Sequence, residues 1–275
     1  MLFRSGTLSG KVKGRLLPQK RLELTGTASL SDGFVLWRRQ GGELSAKVRK
    51  GDLAWQWQGE ALTGRASLTL AEYGEATADF SLPLPARLAT SLNPEGMFRG
   101  GVKGQFHENG FLTILFPGVL RESRGEIALE LRAEGPWREP RMTGRLELSK
   151  AGAYLPSAGV TLKELQLVAS LDRDLLRVER FSMSSGGGGL SGKGEVRLEG
   201  YRVKRYGGSV KGEKFQVVRL PELQAVVAPD ITFEGTPEQL EVRGLVRIPE
   251  LLAKGSDRTT AVQPSRALSK APPRQ

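Results

Sequence analysis

Glycine recurs inside segments whose residues alternate between apolar and polar, and each time it falls on the apolar parity. The copies read GTLSGKVKGRL (6–16), LELTGTASL (22–30), ALTGRASLTL (61–70), MFRGGVKGQF (97–106), RMTGRLEL (141–148), LSGKGEVRL (190–198) and EVRGLVRI (241–248). Gly26 shares a face with Leu22, Leu24 and Leu30, and Gly64 with Leu62, Leu68 and Leu70. Gly144 goes with Met142, Leu146 and Leu148, and Gly244 with Val242, Val246 and Ile248. A period of two is the mark of a strand with one apolar face. A glycine inside such a strand costs stability and offers no side chain to pack, so its repeated placement needs a reason. Bare positions on an inner face let a sheet curl tightly, or leave room for something to lie against that face. Ordinary corners of a sandwich or barrel would use glycine as well.

Further alternating runs, RLEL (21–24), ELSAKVR (43–49), DLAWQWQ (52–58) and EIALELRAE (126–134), extend the pattern over the chain. Asp32–Gly33, Gly41–Gly42, Pro156 to Gly159 and Gly207–Gly208 read as turns between strands. The best helical stretch is 108–123, which Pro117 would end or kink. The expected fold is all-β, with at most one or two short helices. An apolar sheet face must be buried against another layer, and helices are too few here to supply one. Roughly 20 short strands would make a ladder on the order of 95 Å, too long to stay flat. The sheet must therefore curl on itself or hold an apolar ligand.

Composition removes several chemistries. The chain has no Cys, which excludes disulfides, Cys-ligated metals and thiol nucleophiles, and His107 is its one histidine. The net charge of +11 is partly a matter of the last 25 residues, with five basic side chains against Asp257. In the body, basic and acidic residues interleave within strands, as at Arg145–Glu147 and Glu195–Arg197, which is a solubility pattern more than a nucleic-acid footprint. The longest uncharged apolar run, FLTILFPGVL (111–120), falls short of the ~20 residues a spanning helix needs.

Candidate chemical groups are sparse. His107 reads as a surface residue in a polar turn, and Asp172 and Asp174 as turn-forming acids at a hairpin tip. SSGGGGLSGKG (184–194) invites a phosphate-loop reading, but Lys193 is followed by Gly194 and a strand, where that loop needs Ser or Thr and a helix. Trp55 and Trp57 share a strand face and read as core or rim packing, as do Trp37, Tyr201 and Tyr206. No enzyme, cofactor, metal or nucleic-acid partner is expected.

GEKFQVVRLPELQAVVAPDITFEGTPEQLEVRGLVRIPE (212–250) resembles the C-terminal region of the TamB family, within the AsmA-like superfamily of bridge-like lipid-transfer proteins. The stretch from AEGPWREPRMTGRLEL to GGGGLSGKGEVRLEG (133–200) is similar to the same region. LPLPARL (82–88) and LFPGVLRESRGEIALEL (115–131) carry the likeness further. The resemblance implies a long curled antiparallel-type sheet, an apolar-lined trough anchored in the inner membrane and crossing the periplasm. It implies a non-enzymatic role in phospholipid transport to the outer membrane and in outer-membrane and autotransporter protein assembly and secretion. A TamA-like β-barrel would be the protein partner and phospholipid acyl chains the cargo.

On this reading residues 1–114 form β-rich repeats of the groove, 115–250 the TamB C-terminal-like segment, and 251–275 a polar, basic tail expected to be disordered. The groove lining would include Leu129, Leu131, Leu146, Leu148, Val196, Leu198, Val246 and Ile248. Gly26, Gly64, Gly144, Gly192 and Gly244 would provide curvature or admit acyl chains. Family members are longer and carry a membrane anchor and a partner-docking segment. Neither is recognisable here, so the chain is expected to be a fragment or a short homologue. The alternative is a closed β-sandwich or solenoid, filled by its own side chains and used for protein–protein interaction without lipid.

Overall fold

The computed structural model describes residues 2–254 apart from 4–5, 40–41, 111, 114–116 and 201, with backbone alone at 2–3, 35–39 and 42–45. Of the tail expected over 251–275, Leu251–Ala253 are strand and not disordered; beyond Lys254 the expectation lies outside the described residues, as do those for Tyr201 and the side chain of Trp37.

The first strands are β1 (Leu2–Phe3), β2 (Thr7–Leu17), β3 (Arg21–Arg39), β4 (Gly42–Gln58), β5 (Ala61–Leu70) and β6 (Gly74–Leu82). Next come β7 (Met97–Asn109), β8 (Arg121–Pro136), β9 (Arg141–Leu155), β10 (Val160–Asp172) and β11 (Leu175–Ser185). The last are β12 (Gly188–Glu199), β13 (Arg202–Glu213), β14 (Phe215–Arg219), β15 (Leu223–Gly235) and β16 (Leu240–Ala253). A 3-10 turn at Pro18–Lys20 joins β2 to β3. All belong to one 16-stranded antiparallel sheet in which sequence neighbours pair almost throughout. Among the described residues the two ends of the sheet do not meet: β2 pairs only with β3, and β16 only with β15.

The strands are fewer and longer than expected, up to 19 residues in β3. The difference comes from glycines taken for turns. Asp32–Gly33 lies inside β3, and Gly207–Gly208 inside β13, paired to Glu195–Gly194 on one side and Glu234–Phe233 on the other. His107 likewise sits in strand β7 and not in a turn, paired with Glu126. The helical expectation over 108–123 falls partly outside the described residues; Leu112–Thr113 are helical, and its ends, Glu108–Asn109 and Arg121–Ser123, are strand.

Five of the polar residues with left-handed backbone stand where pairing is interrupted or a strand ends toward one rim: Asp32 (φ 52°), Glu122 (54°), Lys150 (50°), Glu164 (52°) and Lys214 (48°). Four lie within β3, β8, β9 and β10, and Lys214 stands between β13 and β14. Each is near the same rim of the sheet, the one carrying the connections at 71–73, 110–120, 156–159 and 186–187. Bulges of this kind bend the strand locally, and a line of them turns the margin of the whole sheet.

Little of the molecule is buried. Its accessible area is 19729 Å², against about 11,700 Å² for a compact monomer of this mass. Giving the residues beyond 254 their full unfolded-chain area, about 3,300 Å², still leaves an excess of several thousand Å². The buried apolar side chains among the described residues are Ala46, Val48, Ala86, Ala151, Ala153, Val160, Ala169 and Phe215. Most of these lie near the rims, under segments that fold over them. At one rim the stretch after β6 runs back over the tips of two hairpins: Leu22 N–H donates to Ala86 O (2.8 Å), Ala86 N–H to Gly59 O (2.8 Å) and Leu88 N–H to Lys20 O (3.2 Å). The Trp57 indole N–H donates to Leu84 O (2.9 Å) under the same strap. At the other rim β14 crosses the tips of β9–β10 and β11–β12, Arg219 N–H donating to Ala158 O (2.7 Å) and Ser185 Oγ to Gln216 O (2.8 Å).

Candidate functional site

Strand register lines the alternating residues into rows that cross the sheet. One row runs Leu8, Leu30, Gly51, Leu68, Ala76, Gly104, Leu129, Leu146, Ala169, Val178, Gly194, Gly208, Phe233, Val242, from β2 to β16. A second, two residues along each strand, runs Gly10, Ala28, Leu53, Ala66, Ala78, Val102, Leu131, Gly144, Leu171, Leu176, Val196, Tyr206, Gly235, Leu240. A third flanks the first on its other side, from Gly33 and Val48 through Phe106, Ile127, Leu148, Leu167 and Phe181 to Val210, Ile231 and Gly244. The first two rows contain no charged residue, and Tyr206 is their one polar-tipped side chain. Neighbouring strands stand about 4.8 Å apart, so each row is on the order of 62 Å long.

The row between the first two points to the opposite face: Ser9, Ser29, Asp52, Ser67, Thr77, Lys103, Glu130, Arg145, Ser170, Arg177, Glu195, Gly207, Glu234, Glu241. Charges on this face neutralise one another across strands, as in Lys103–Glu130 (3.3 Å), Arg145–Glu179 (3.2 Å) and Arg205–Glu234 (2.8 Å). Lys50 and Ser29 hold the Asp52 carboxyl below its ordinary range. Lys103 and then Arg132 do the same for Glu130, and Ser170 and then Arg145 for Glu179. These carboxyls are more acidic folded than unfolded, so their stabilisation is present above the ordinary carboxylate range and is lost as pH falls through it. Thermal stability should thus stay level from pH 7 to 5 and decline below about 4, by a modest amount because the pairs are exposed. A pH series of melting curves at low and high salt checks this, salt flattening the decline.

The apolar face is the concave one. Val48, Glu108, Ala151, Ala153 and Ser185, all buried, point to it, so the rim segments that cover them fold over that side. Along β12 the residues on this face are half-buried while their neighbours on the other are exposed. Among the described residues no second sheet or helix lies across the middle of it. The closed sandwich that sequence allows is thus not the architecture observed.

Each lining candidate can now be placed. Leu129 and Leu146 stand in the first row, Leu131 and Val196 in the second, and Leu148 in the third. Leu198 and Val246 share this face toward opposite rims, Leu198 opposite Val203 and Val246 opposite Pro229. Ile248 falls where the β15–β16 register shifts, between Arg247 and Glu250, which removes it from the regular alternation. Sequence reading missed other large residues on this face, Phe80, Phe106, Phe181 and Phe233, while Trp55, read there as core or rim packing, pairs with Gly26 and Gly64 on the same face.

The same register explains the glycines. Gly26 and Gly64 both pair with Trp55, and Gly64 also with Phe80. A Cβ on Gly26 would strike the Trp55 indole, one on Gly64 the Phe80 ring and one on Gly144 the Leu131 side chain. At Gly192 it would meet Ser209 O and Val210, and at Gly244, whose φ is +135°, the Asp230 carbonyl. The room that these glycines leave is therefore taken by the chain's own cross-strand neighbours. Large side chains lie flat over it and keep the face smooth. Gly64→Val should cost about 1–3 kcal/mol by overpacking. Gly51→Ala, whose nearest neighbours stand at 3.6 Å, should be neutral or slightly stabilising. Denaturant midpoints of the two variants separate these outcomes.

The structure does not bring these polar candidates together. His107 is exposed, Asp172 and Asp174 flank the β10–β11 tip, and Lys193 stands in mid-strand β12. Among the described residues no group of three or more His, Asp or Glu could hold a metal, and no helix is long and apolar enough to cross a membrane.

An open antiparallel sheet, polar on its convex side and apolar along a concave trough, defines a β-groove protein. Residues 179–270 match the family model of the TamB C-terminal domain, and the similarity of that part supports reading the chain as TamB-like. No curated protein and no solved structure matches it.

Proposed function

We propose that the apolar face holds or conducts phospholipid acyl chains, in a non-enzymatic envelope protein of the translocation and assembly module. The observation that carries this reading is the set of uninterrupted apolar rows crossing the sheet, with nothing among the described residues laid over their middle. An uncovered apolar surface of this extent is an aggregation liability in water unless a ligand fills it. Acyl chains suit it because they need no directional partners, only a continuous apolar floor. One leaflet of hydrocarbon is about 15 Å thick, so several acyl lengths would fit end to end along a row. The match over 179–270 supports a place beside a TamA-like outer-membrane barrel, with the groove in the periplasm and its cargo linked to outer-membrane and autotransporter protein assembly.

Mass spectrometry of organic extracts from the purified chain tests the reading, with a similarly basic β-protein as control. Phospholipid at one or more molecules per chain is the expected result. A folded, monomeric sample free of lipid would overturn it.

A further inference from the structure

We propose that phospholipid headgroups sit along one rim of the trough only, the rim that carries the connections 59–60, 83–96, 137–140 and 173–174, with their phosphates among its arginines. This rests on the reading that acyl chains occupy the apolar face. The two rims differ first in charge. On the opposite rim the connections 71–73, 110–120, 156–159 and 186–187 contain no basic residue, and Lys214 is the exception beside them. Here Arg87, Arg138 and Arg173 stand in the connections themselves. Arg87 is shared with Glu60 and Arg138 with Glu95, each at 3.2 Å. These are exposed pairs of small worth, which a phosphate can join or displace. A planar guanidinium offers two parallel N–H groups to a phosphate, so arginine suits the task better than a lone ammonium would.

The rims differ also in cover. The buried side chains Val48, Glu108, Ala151, Ala153 and Ser185 gather at the opposite rim, beneath the segments folded over it. At the arginine rim side-chain burial is confined to the strap, as at Ala86, and Met97 and Trp137 stand 59% and 37% exposed. Aromatic rings mark the boundary there. Phe98 lies on the apolar face with its ring over Gly100, where a Cβ would strike it. Trp137 meets Phe98 edge to face, with centroids 5.1 Å apart. Indole has an apolar body and one polar N–H, and it settles where hydrocarbon gives way to headgroups. From Phe98 to Val102 in the second row is four residues, about 13 Å along β7, within the ~15 Å reach of an acyl chain. A lipid rooted at Phe98 and Trp137 therefore has its phosphate at the arginines and its tails on the rows.

The test uses the full chain loaded with phosphatidylcholine carrying a diazirine either on the headgroup or at the end of one acyl chain, with crosslinked peptides mapped by mass spectrometry. The headgroup label should favour 83–96 and 136–141 over 156–159 and 186–187 by about fivefold, while the acyl label falls within 126–133 and 143–148. The double variant Arg138→Gln/Arg173→Asn, at exposed turn positions, should cut headgroup crosslinks at this rim by about threefold and leave the acyl yield unchanged at saturating lipid. Three outcomes would overturn the headgroup rim while acyl crosslinks in the rows stood: headgroup label spread evenly over both rims, label concentrated on the opposite rim, or label unmoved by the double variant. Absence of acyl crosslinks from the rows would overturn the reading of the face itself, and the headgroup rim with it.

Discussion

An aspartate at Leu146 should lower phospholipid crosslinking to the apolar face by about a hundredfold. Leu146 sits near the middle of the first row, between Leu129 and Ala169. A carboxylate in contact with hydrocarbon costs roughly 2.5–3.5 kcal/mol on insertion scales, which is two orders of magnitude in occupancy. The position along the row matters too. Acyl chains lying across strands would meet the charge wherever they slid, so Leu146→Asp breaks the path in two. Val246→Asp, on the terminal strand β16, should remove binding only near that end. Ser170→Asp, next to Arg145 on the convex face, serves as the control and should leave crosslinking unchanged. Diazirine-labelled phospholipid, with circular dichroism to confirm folding, reads all three. Undiminished crosslinking in a folded Leu146→Asp chain would count against acyl chains occupying the rows.

Glu108→Ala is the change expected to cost most stability, about 4 kcal/mol. Glu108 is 1% exposed on the otherwise apolar face. Its Oε1 accepts from Gly110 N–H (3.1 Å), Leu112 N–H (2.9 Å) and Ser123 Oγ (2.7 Å), and so ties the end of β7 to the start of β8. Removing the carboxylate strands the buried Ser123 hydroxyl and two half-buried N–H groups, at about 1–3 kcal/mol for a buried donor left unmet and less for the others. Glu108→Gln keeps the accepting oxygen and should recover most of the loss. Equal destabilisation by the two variants would show that charge, and not acceptance, is what the site requires.

The two-faced sheet was legible because its period is local: EIALELRAE and EVRLE display both faces within a few residues. The glycines could also be assigned to the apolar face from parity. Their purpose could not, since Trp55 is nearly 30 residues from Gly26 and only register brings them together. Bulges misled for a similar reason. Asp32–Gly33 has the composition of a hairpin turn, yet the chain continues in the same direction, because left-handed backbone at one residue is a kink when strands persist on both sides. Glu108 gave no signal at all, as a carboxylate two residues past Phe106 looks like the polar end of a strand until the following segment folds back on it. The straps at 83–88 and β14 were equally silent, their bonds being to backbone atoms of distant hairpins.

A sheet in which each strand touches little beyond its two neighbours has no common centre whose loss dissolves the whole. Its cooperativity is that of a linear array, in which the free energy is close to a sum of strand and neighbour terms. Within the described sheet, opening then costs least at β2 and β16, each with one partner among the described residues, and most toward β8 and β9. Amide hydrogen exchange should grade along the chain in that order, with no single value shared by the molecule. One melting temperature would describe such a protein poorly. The same gradation lets strands be lost from or added to either end without unsettling the floor of the trough between them.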